Sequence, residues 1–260
     1  EISKAVNFIN YHISADNNTI PASFIVNFIF SLSDMQSFNS EKPSLSNELV
    51  VYEILDKLIP KINQLDTRAL SNLLFCLQKY QIKSPKIFNF AKFLDNIEEV
   101  IVKKFTSNMQ NFTNIDITQA IVAYSKCQCG SEEFYRIFAD LIIARKNFLK
   151  PKEISILLYS YSNNINCNDK LLQSFEDNVI SKLSEFNSIE FCNIARAYDR
   201  KNMISEKLRK GLIKVTILKY QDVQILDLSY LYKILADEKE PKFLKYRHSL
   251  INALLHEINS

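Results

Sequence analysis

Residues able to engage a ligand recur in this sequence at matched positions. Asn27, Asn72, Gln119, Ile156, Asn193 and Tyr230 form one series, four of them carboxamides. Three residues beyond each stand Phe30, Phe75, Val122, Tyr159, Arg196 and Lys233; four beyond those stand Asp34, Lys79, Lys126, Asn163, Arg200 and Asp237. Carboxamides read base edges, aromatic and guanidinium planes stack on bases, and Lys or Arg holds phosphate. Helical steps of three and seven residues return to one face, so each triplet would form one rung of a ladder. By residue type the candidate contacts are Asn72, Lys79, Gln119, Lys126, Tyr159, Asn193, Arg196, Arg200, Tyr230 and Lys233, and the chemistry they suit is RNA recognition. A competing use exists for the aromatic residues, which can pack against the adjacent helix.

The elements that must position these rungs are written as a repeat. Ile154–Ser162 has counterparts thirty-seven residues earlier, Ile117–Ser125, and thirty-seven later, Phe191–Asp199, with a further copy at Leu228–Ala236. Taking the first apolar residue of each copy as an anchor gives positions 25, 70, 117, 154, 191 and 228, spaced by 45, 47, 37, 37 and 37. From each anchor, apolar residues fall at steps of three, four and seven, the spacing of a buried helical stripe. A second stripe follows in each unit: Phe134, Phe138, Ile142 and Ile143 align with Leu171, Phe175, Val179 and Ile180, then with Leu208, Leu212, Thr216 and Ile217. The expected fold class is all-α, an α-solenoid of about six helix-turn-helix repeats, with a strict period from residue 117 onward. Residues 1–260 read as a single solenoid, with divergent N-terminal helices and a first repeat in 1–65 and regular repeats in 66–260.

Helices are expected over 1–15, 24–35, 48–65, 117–127, 132–148, 152–163, 169–184, 189–200, 205–220 and 225–237, with a closing helix to about 258. Residues 36–47 read as a Ser- and Asn-rich loop. Pro60 should bend or restart its helix, and the segment 85–112 should break near Asp95. Asp66, Asp116 and the pair Asn187-Ser188 read as caps, while Pro85 and Pro151 take the first helical turn.

Composition agrees with helices. Only two glycines and six prolines occur in 260 residues, too few for the turns of sheets or phosphate-cradling loops. Charge is graded: residues 1–65 carry four Lys against seven acids, whereas residues 196–247 carry thirteen Lys or Arg against seven acids. A basic C-terminal half points to a polyanion, with Arg196, Arg200, Lys201, Lys207, Arg209, Lys210 and Lys214 as its densest cluster. No run of about 18 apolar residues occurs, so no membrane span is expected. The opening residue is Glu1, which reads as a processed or partial chain.

Catalytic arrangements are not expected. Five cysteines without framework spacing argue for a reduced compartment rather than a disulfide scaffold. His248 and His256 are two helical turns apart and His12 is remote, so no metal pair forms. The acid pairs Glu98-Glu99 and Glu132-Glu133 point apart on helix surfaces, unlike a catalytic couple. No cofactor, metal or small-molecule substrate is expected.

The segments Leu70–Tyr80, Ile117–Cys127, Ile154–Asn163, Phe191–Arg200 and Leu228–Asp237 resemble the heptatricopeptide repeat. They are similar to the octotricopeptide repeat and to the helical region of FAST-kinase-like and RAP-domain proteins. The resemblance covers about residues 66–258. It implies a non-catalytic protein of the mitochondrial matrix, less readily of a plastid, that binds organellar single-stranded or ribosomal RNA or belongs to a large ribonucleoprotein assembly such as a mitochondrial ribosome. The alternative is a protein-only scaffold or accessory subunit of a large mitochondrial complex.

Overall fold

The computed structural model describes residues 21–38, 54–55, 57–83 and 90–236, with Tyr11, His248, Ile251, Asn252 and Leu255 as isolated positions. The expectations for the helix at 1–15, the loop at 36–47 beyond Phe38, the Pro85 start, Asp237, His12, His256 and the closing helix lie outside these residues. No strand occurs among the described residues, and the fold is all-α, of helical-repeat type. Helices α1 (Ala22–Phe38), α2 (Thr67–Lys83), α3 (Phe90–Ser107), α4 (Asn114–Cys127) and α5 (Glu132–Ala144) come first. Then follow α6 (Pro151–Ser162), α7 (Lys170–Lys182), α8 (Ser188–Arg200), α9 (Glu206–Lys219) and α10 (Ile225–Ala236). The chain divides into two compact units, Glu1–Ile137 and Phe138–Ser260.

In the first unit α1 packs on α2 and α2 on α4, side by side, with α3 against α2, α4 and the 3-10 turn Ile59–Gln64. In the second, α6 packs on α8 and α8 on α10, while α7 and α9 form the companion layer. The anchors Ile25, Leu70, Ile117, Ile154, Phe191 and Leu228 are all buried, as are the residues three beyond Leu70, Ile117, Ile154, Phe191 and Leu228. The second stripe is equally regular. Phe134, Phe138 and Ile142, then Leu171, Phe175 and Val179, then Leu208, Leu212 and Thr216 are buried, and the fourth member of each set is half-buried. Thr216, the polar exception, satisfies its hydroxyl by donating to the Leu212 carbonyl at 2.8 Å.

Seven residues past the anchor the column holds Tyr124, Tyr161 and Tyr198, each 0% exposed. A buried phenol needs a partner. Tyr124 donates to the Leu94 carbonyl at 2.9 Å and Tyr198 to the Leu172 carbonyl at 2.7 Å, so each ties a first helix to the second helix before it. Tyr161 donates to Asn168 Oδ1 at 3.2 Å.

Lysines in the second helices brace the turn that opens their own unit. Lys104 donates to the Asn63 and Leu65 carbonyls at 2.9 and 2.8 Å. Lys182 reaches the Leu149 carbonyl at 3.3 Å, and Lys219 the carbonyls of Ser184 and Phe186. Gly211, inside α9, admits Leu183: a Cβ there would stand 2.4 Å from Leu183 Cδ1.

Several sequence expectations change. Helix α3 runs unbroken through Asp95, because Phe93, Leu94, Ile97 and Ile101 keep one buried stripe across it. The expected helix 132–148 stops at Ala144, and Lys146–Phe148 tightens into a 3-10 turn that turns Leu149 into the core. Pro60 restarts the chain as the 3-10 turn Ile59–Gln64. Asp66 caps α2, accepting from Ala69 N at 2.7 Å, and Asn187 caps α8. Asp116 is not the cap of α4. Thr113 is, and Asp116 is the third helical residue that accepts back from Thr113 N at 2.8 Å, a capping box.

The phenols of Tyr124 and Tyr198 lie above the ordinary 10.0, chiefly because burial disfavours the phenolate. Their stabilising effect is complete below pH 10 and is lost as pH climbs toward the folded value, since the unfolded chain ionises first. The unfolding free energy from urea titrations should therefore fall above pH 10 by about 1.4 kcal/mol per pH unit per phenol. Tyr198→Phe should be less stable at pH 7 by about 1 kcal/mol and should show a shallower alkaline decline; equal declines would contradict this role.

Candidate nucleic-acid interface

Four of the ten candidate residues lie in the first unit. Asn72 and Gln119 are half-buried, and Gln119 is already engaged: Ser71 Oγ donates to its Oε1 at 2.5 Å. Lys79 is half-buried with its ammonium 4.5 Å from the centre of the Phe75 ring, one helical turn back. Phe75 in turn lies against Phe30, ring centres 5.8 Å apart. Lys126 is exposed. Val122, in the same series as Phe75, is 7% exposed and belongs to the core, not to a rung.

The second unit carries the other six and brings four of them together. Arg200 lies over the Tyr159 ring at 5.1 Å and donates to Ser162 Oγ at 2.9 Å. Arg196 lies over the Tyr230 ring at 5.2 Å and pairs with Asp227. Tyr230 donates to Asp199 Oδ2 at 2.5 Å. Burial, and then that bond, holds its phenol above the usual range. Helix α8 thus grips α6 through one guanidinium–phenol stack and α10 through another. The aromatic residues of this series do pack between helices, and their cations pack with them. Asn193 is half-buried beside these stacks in sequence, and Lys233 is exposed.

The basic cluster is similarly engaged. Lys201 donates to the Cys167 carbonyl at 2.9 Å, Arg209 to the Ile234 carbonyl at 2.6 Å, Lys207 pairs with Asp177 at 2.8 Å, and Lys210 pairs with Glu206. Lys214 is exposed on α9. Most of the cluster expected to attract phosphate is thus already paired, Lys207 and Lys210 in exposed ion pairs and the others with groups on neighbouring elements.

Sequence reading took Asp116 as a cap but missed the column of acids to which it belongs. One residue before the anchor stand Asp116, Glu153, Glu190 and Asp227. The first three accept back from the backbone N–H of Thr113, Lys150 and Asn187. Asp227 occupies the same position but turns to Arg196. The signal was present as a column of acids at the repeat interval.

All five cysteines are buried thiols outside any disulfide; burial pushes the Cys167 and Cys192 thiols up to about 12, which keeps them protonated. Among the described residues no group of three or more His, Cys, Asp or Glu is placed to hold a metal ion, and no helix is long and apolar enough to cross a membrane. No protein-family model matches the sequence, and no curated protein matches it at a significant level.

One polar group in this face lacks a partner. Ser155 and Asn193 occupy the positions of Ser71 and Gln119 in the later repeats, but Asn193 is one methylene shorter, and Ser155 Oγ is buried without a hydrogen bond. Asn193→Gln should therefore raise stability by about 1 kcal/mol, and should do so only while Ser155 is present. For the ion pair, side-chain exposures of 29% and 16% remove it from the fully solvated class. A double-mutant cycle on Arg196→Ala and Asp227→Ala in urea should give a coupling of about 1 kcal/mol. Additive effects of the two substitutions would show that the pair contributes nothing beyond its two side chains.

Proposed function

We propose that this chain is a non-catalytic helical-repeat protein that binds single-stranded RNA, in the setting of organellar RNA metabolism or an organellar ribosome. The observation that carries the reading is the face of α8, where the Arg196 and Arg200 guanidiniums lie 5.2 and 5.1 Å from the centres of the Tyr230 and Tyr159 rings in two successive cation–aromatic contacts. Flat cation–aromatic surfaces accept stacked bases whatever their sequence. The half-buried carboxamide of Asn193 and the exposed ammonium of Lys233 belong to adjacent rungs of the same ladder. The repeat resemblance supports the organellar setting, with the mitochondrial matrix as the compartment.

A second reading, a protein-only scaffold of a large mitochondrial complex, is favoured by the commitment of Arg196 to Asp227 and by the burial of Val122. Fluorescence anisotropy with a labelled U-rich 20-nucleotide RNA at 50 and 200 mM salt separates the two. Under the RNA reading the chain binds, and Lys233→Gln combined with Arg200→Gln weakens binding and lowers the salt slope by about 0.7 for each phosphate that is no longer neutralised. An intact, folded chain that shows no binding at 50 mM salt would leave the scaffold reading.

A further inference from the structure

The internal repeat supplies a control for judging surface residues, because each position can be compared with its equivalents at the same interval. One corner of the second unit departs from that control. Residues 145–152, Arg-Lys-Asn-Phe-Leu-Lys-Pro-Lys, align with 108–115, 182–189 and 219–226. Position 149 keeps the pattern: Phe112, Leu149, Phe186 and Val223 are all buried. Arg145 keeps it too, sharing its column with the bracing residues Lys182 and Lys219.

Asn147 matches the polar Gln110, Ser184 and Gln221, but four other positions depart from the pattern. Phe148 replaces Asn111, Glu185 and Asp222, and it is 78% exposed. Lys150 replaces Thr113, Asn187 and Gln224. Thr113 and Asn187 cap their helices with side-chain oxygens, and no side-chain bond caps α6. Lys152 replaces Ile115, Ile189 and Leu226, and Lys146 replaces Met109, Leu183 and Tyr220. Giving up a capping oxygen costs about 1 kcal/mol, and placing a phenylalanine where an acid serves gains nothing for the fold. Four substitutions within seven residues exchange amides, acids, a hydroxyl, a phenol and apolar groups for three cations and one aromatic ring.

The corner is also held firmly. Phe148 N donates to the Arg145 carbonyl at 2.9 Å, closing the 3-10 turn. The Leu149 side chain is buried and its carbonyl accepts from Lys182, while Glu153 accepts from Lys150 N at 2.9 Å. That last bond ties Glu153 to the backbone. Lys150 and Lys152 are exposed, and the ammonium of Lys146 is close enough to help hold the Asp177 carboxyl below its usual range, after Lys207.

We infer that residues 146–152 form a distinct contact site for single-stranded RNA, with Phe148 as a platform for one base and Lys146, Lys150 and Lys152 holding the flanking phosphates. This site rests on the RNA reading and lies outside the helix faces that carry the ladder. An exposed ring in the same short segment as three lysines suits a stacked, negatively charged strand. A single aromatic residue is a weak anchor for a bilayer, since stable attachment takes a larger apolar signal.

The test uses the full chain, the same U-rich 20-nucleotide RNA and vesicles of phosphatidylcholine with phosphatidylserine. Phe148 is exposed, so Phe148→Ala should keep the thermal midpoint of the parent. It should weaken RNA binding about tenfold with an unchanged salt slope. Lys150→Gln with Lys152→Gln should lower the slope by about 1.4, two phosphates' worth for a single strand. Ultraviolet cross-linking should recover RNA on the peptide containing Phe148. If the ladder variants at Arg200 and Lys233 weaken binding while the corner variants match the parent, the corner site is wrong and the RNA reading stands. If the parent binds no RNA, both fall. Abolished vesicle binding in Phe148→Ala without an effect on RNA would reassign the corner to a lipid surface.

Discussion

No helix pair in this chain can bury its apolar stripe by itself, and that constraint governs the rest. A first helix presents Leu157, Leu158 and Tyr161 along one side, and those side chains reach 0 or 1% exposure only because neighbouring helices cover them. The tyrosine column makes the demand directional. Covering an aliphatic column requires only contact, but covering Tyr124 and Tyr198 also requires a carbonyl within reach of each hydroxyl. Leu94 and Leu172 supply those carbonyls from second helices, which fixes how far each helix slides along its neighbour.

The repeat made the core readable from sequence. Anchors 25, 70, 117, 154, 191 and 228 and the matched second stripes describe buried columns, because burial is a one-dimensional signal with the helical period. The surface was less readable. The ladder assigned Arg196 and Arg200 to a ligand by type and spacing, yet their partners Asp227, Tyr230 and Tyr159 sit on adjacent helices. Pairs such as Arg196–Asp227 and Tyr230–Asp199 are separated by 31 residues, an offset set by how two helices lie together and not by the repeat length. The break expected at Asp95 failed for a related reason: a polar residue on the outer side of α3 leaves the buried stripe intact. Helix ends were misplaced where a 3-10 turn followed, since Lys146–Phe148 has the composition of a helix and the geometry of a tighter coil.

Charge therefore has two meanings along this chain. Lys104, Lys182, Lys201, Arg209 and Lys219 are donors to backbone carbonyls, and their positive charge contributes to holding turns and helix ends. Lys126, Lys150, Lys152, Lys214 and Lys233 are exposed. Donation to a neutral carbonyl leaves the charge in place, so both groups contribute to the field that a polyanion meets. Identical residues at matched positions of a repeat can serve either purpose, and only the neighbouring backbone decides which.

The bonds that join one helix to the next are short-range in sequence. Ser71–Gln119 spans 48 residues, Arg200–Ser162 spans 38 and Arg209–Ile234 spans 25. Loop-closure entropy for such spans is small and nearly the same at each step. Within each compact unit, order can therefore begin at any helix pair and spread sideways like a zipper, with no distant strand to wait for. Hydrogen exchange in such a lattice grades from frayed ends toward protected interiors rather than vanishing at one global threshold, and a surface carried on an interior repeat is held by neighbours on both sides.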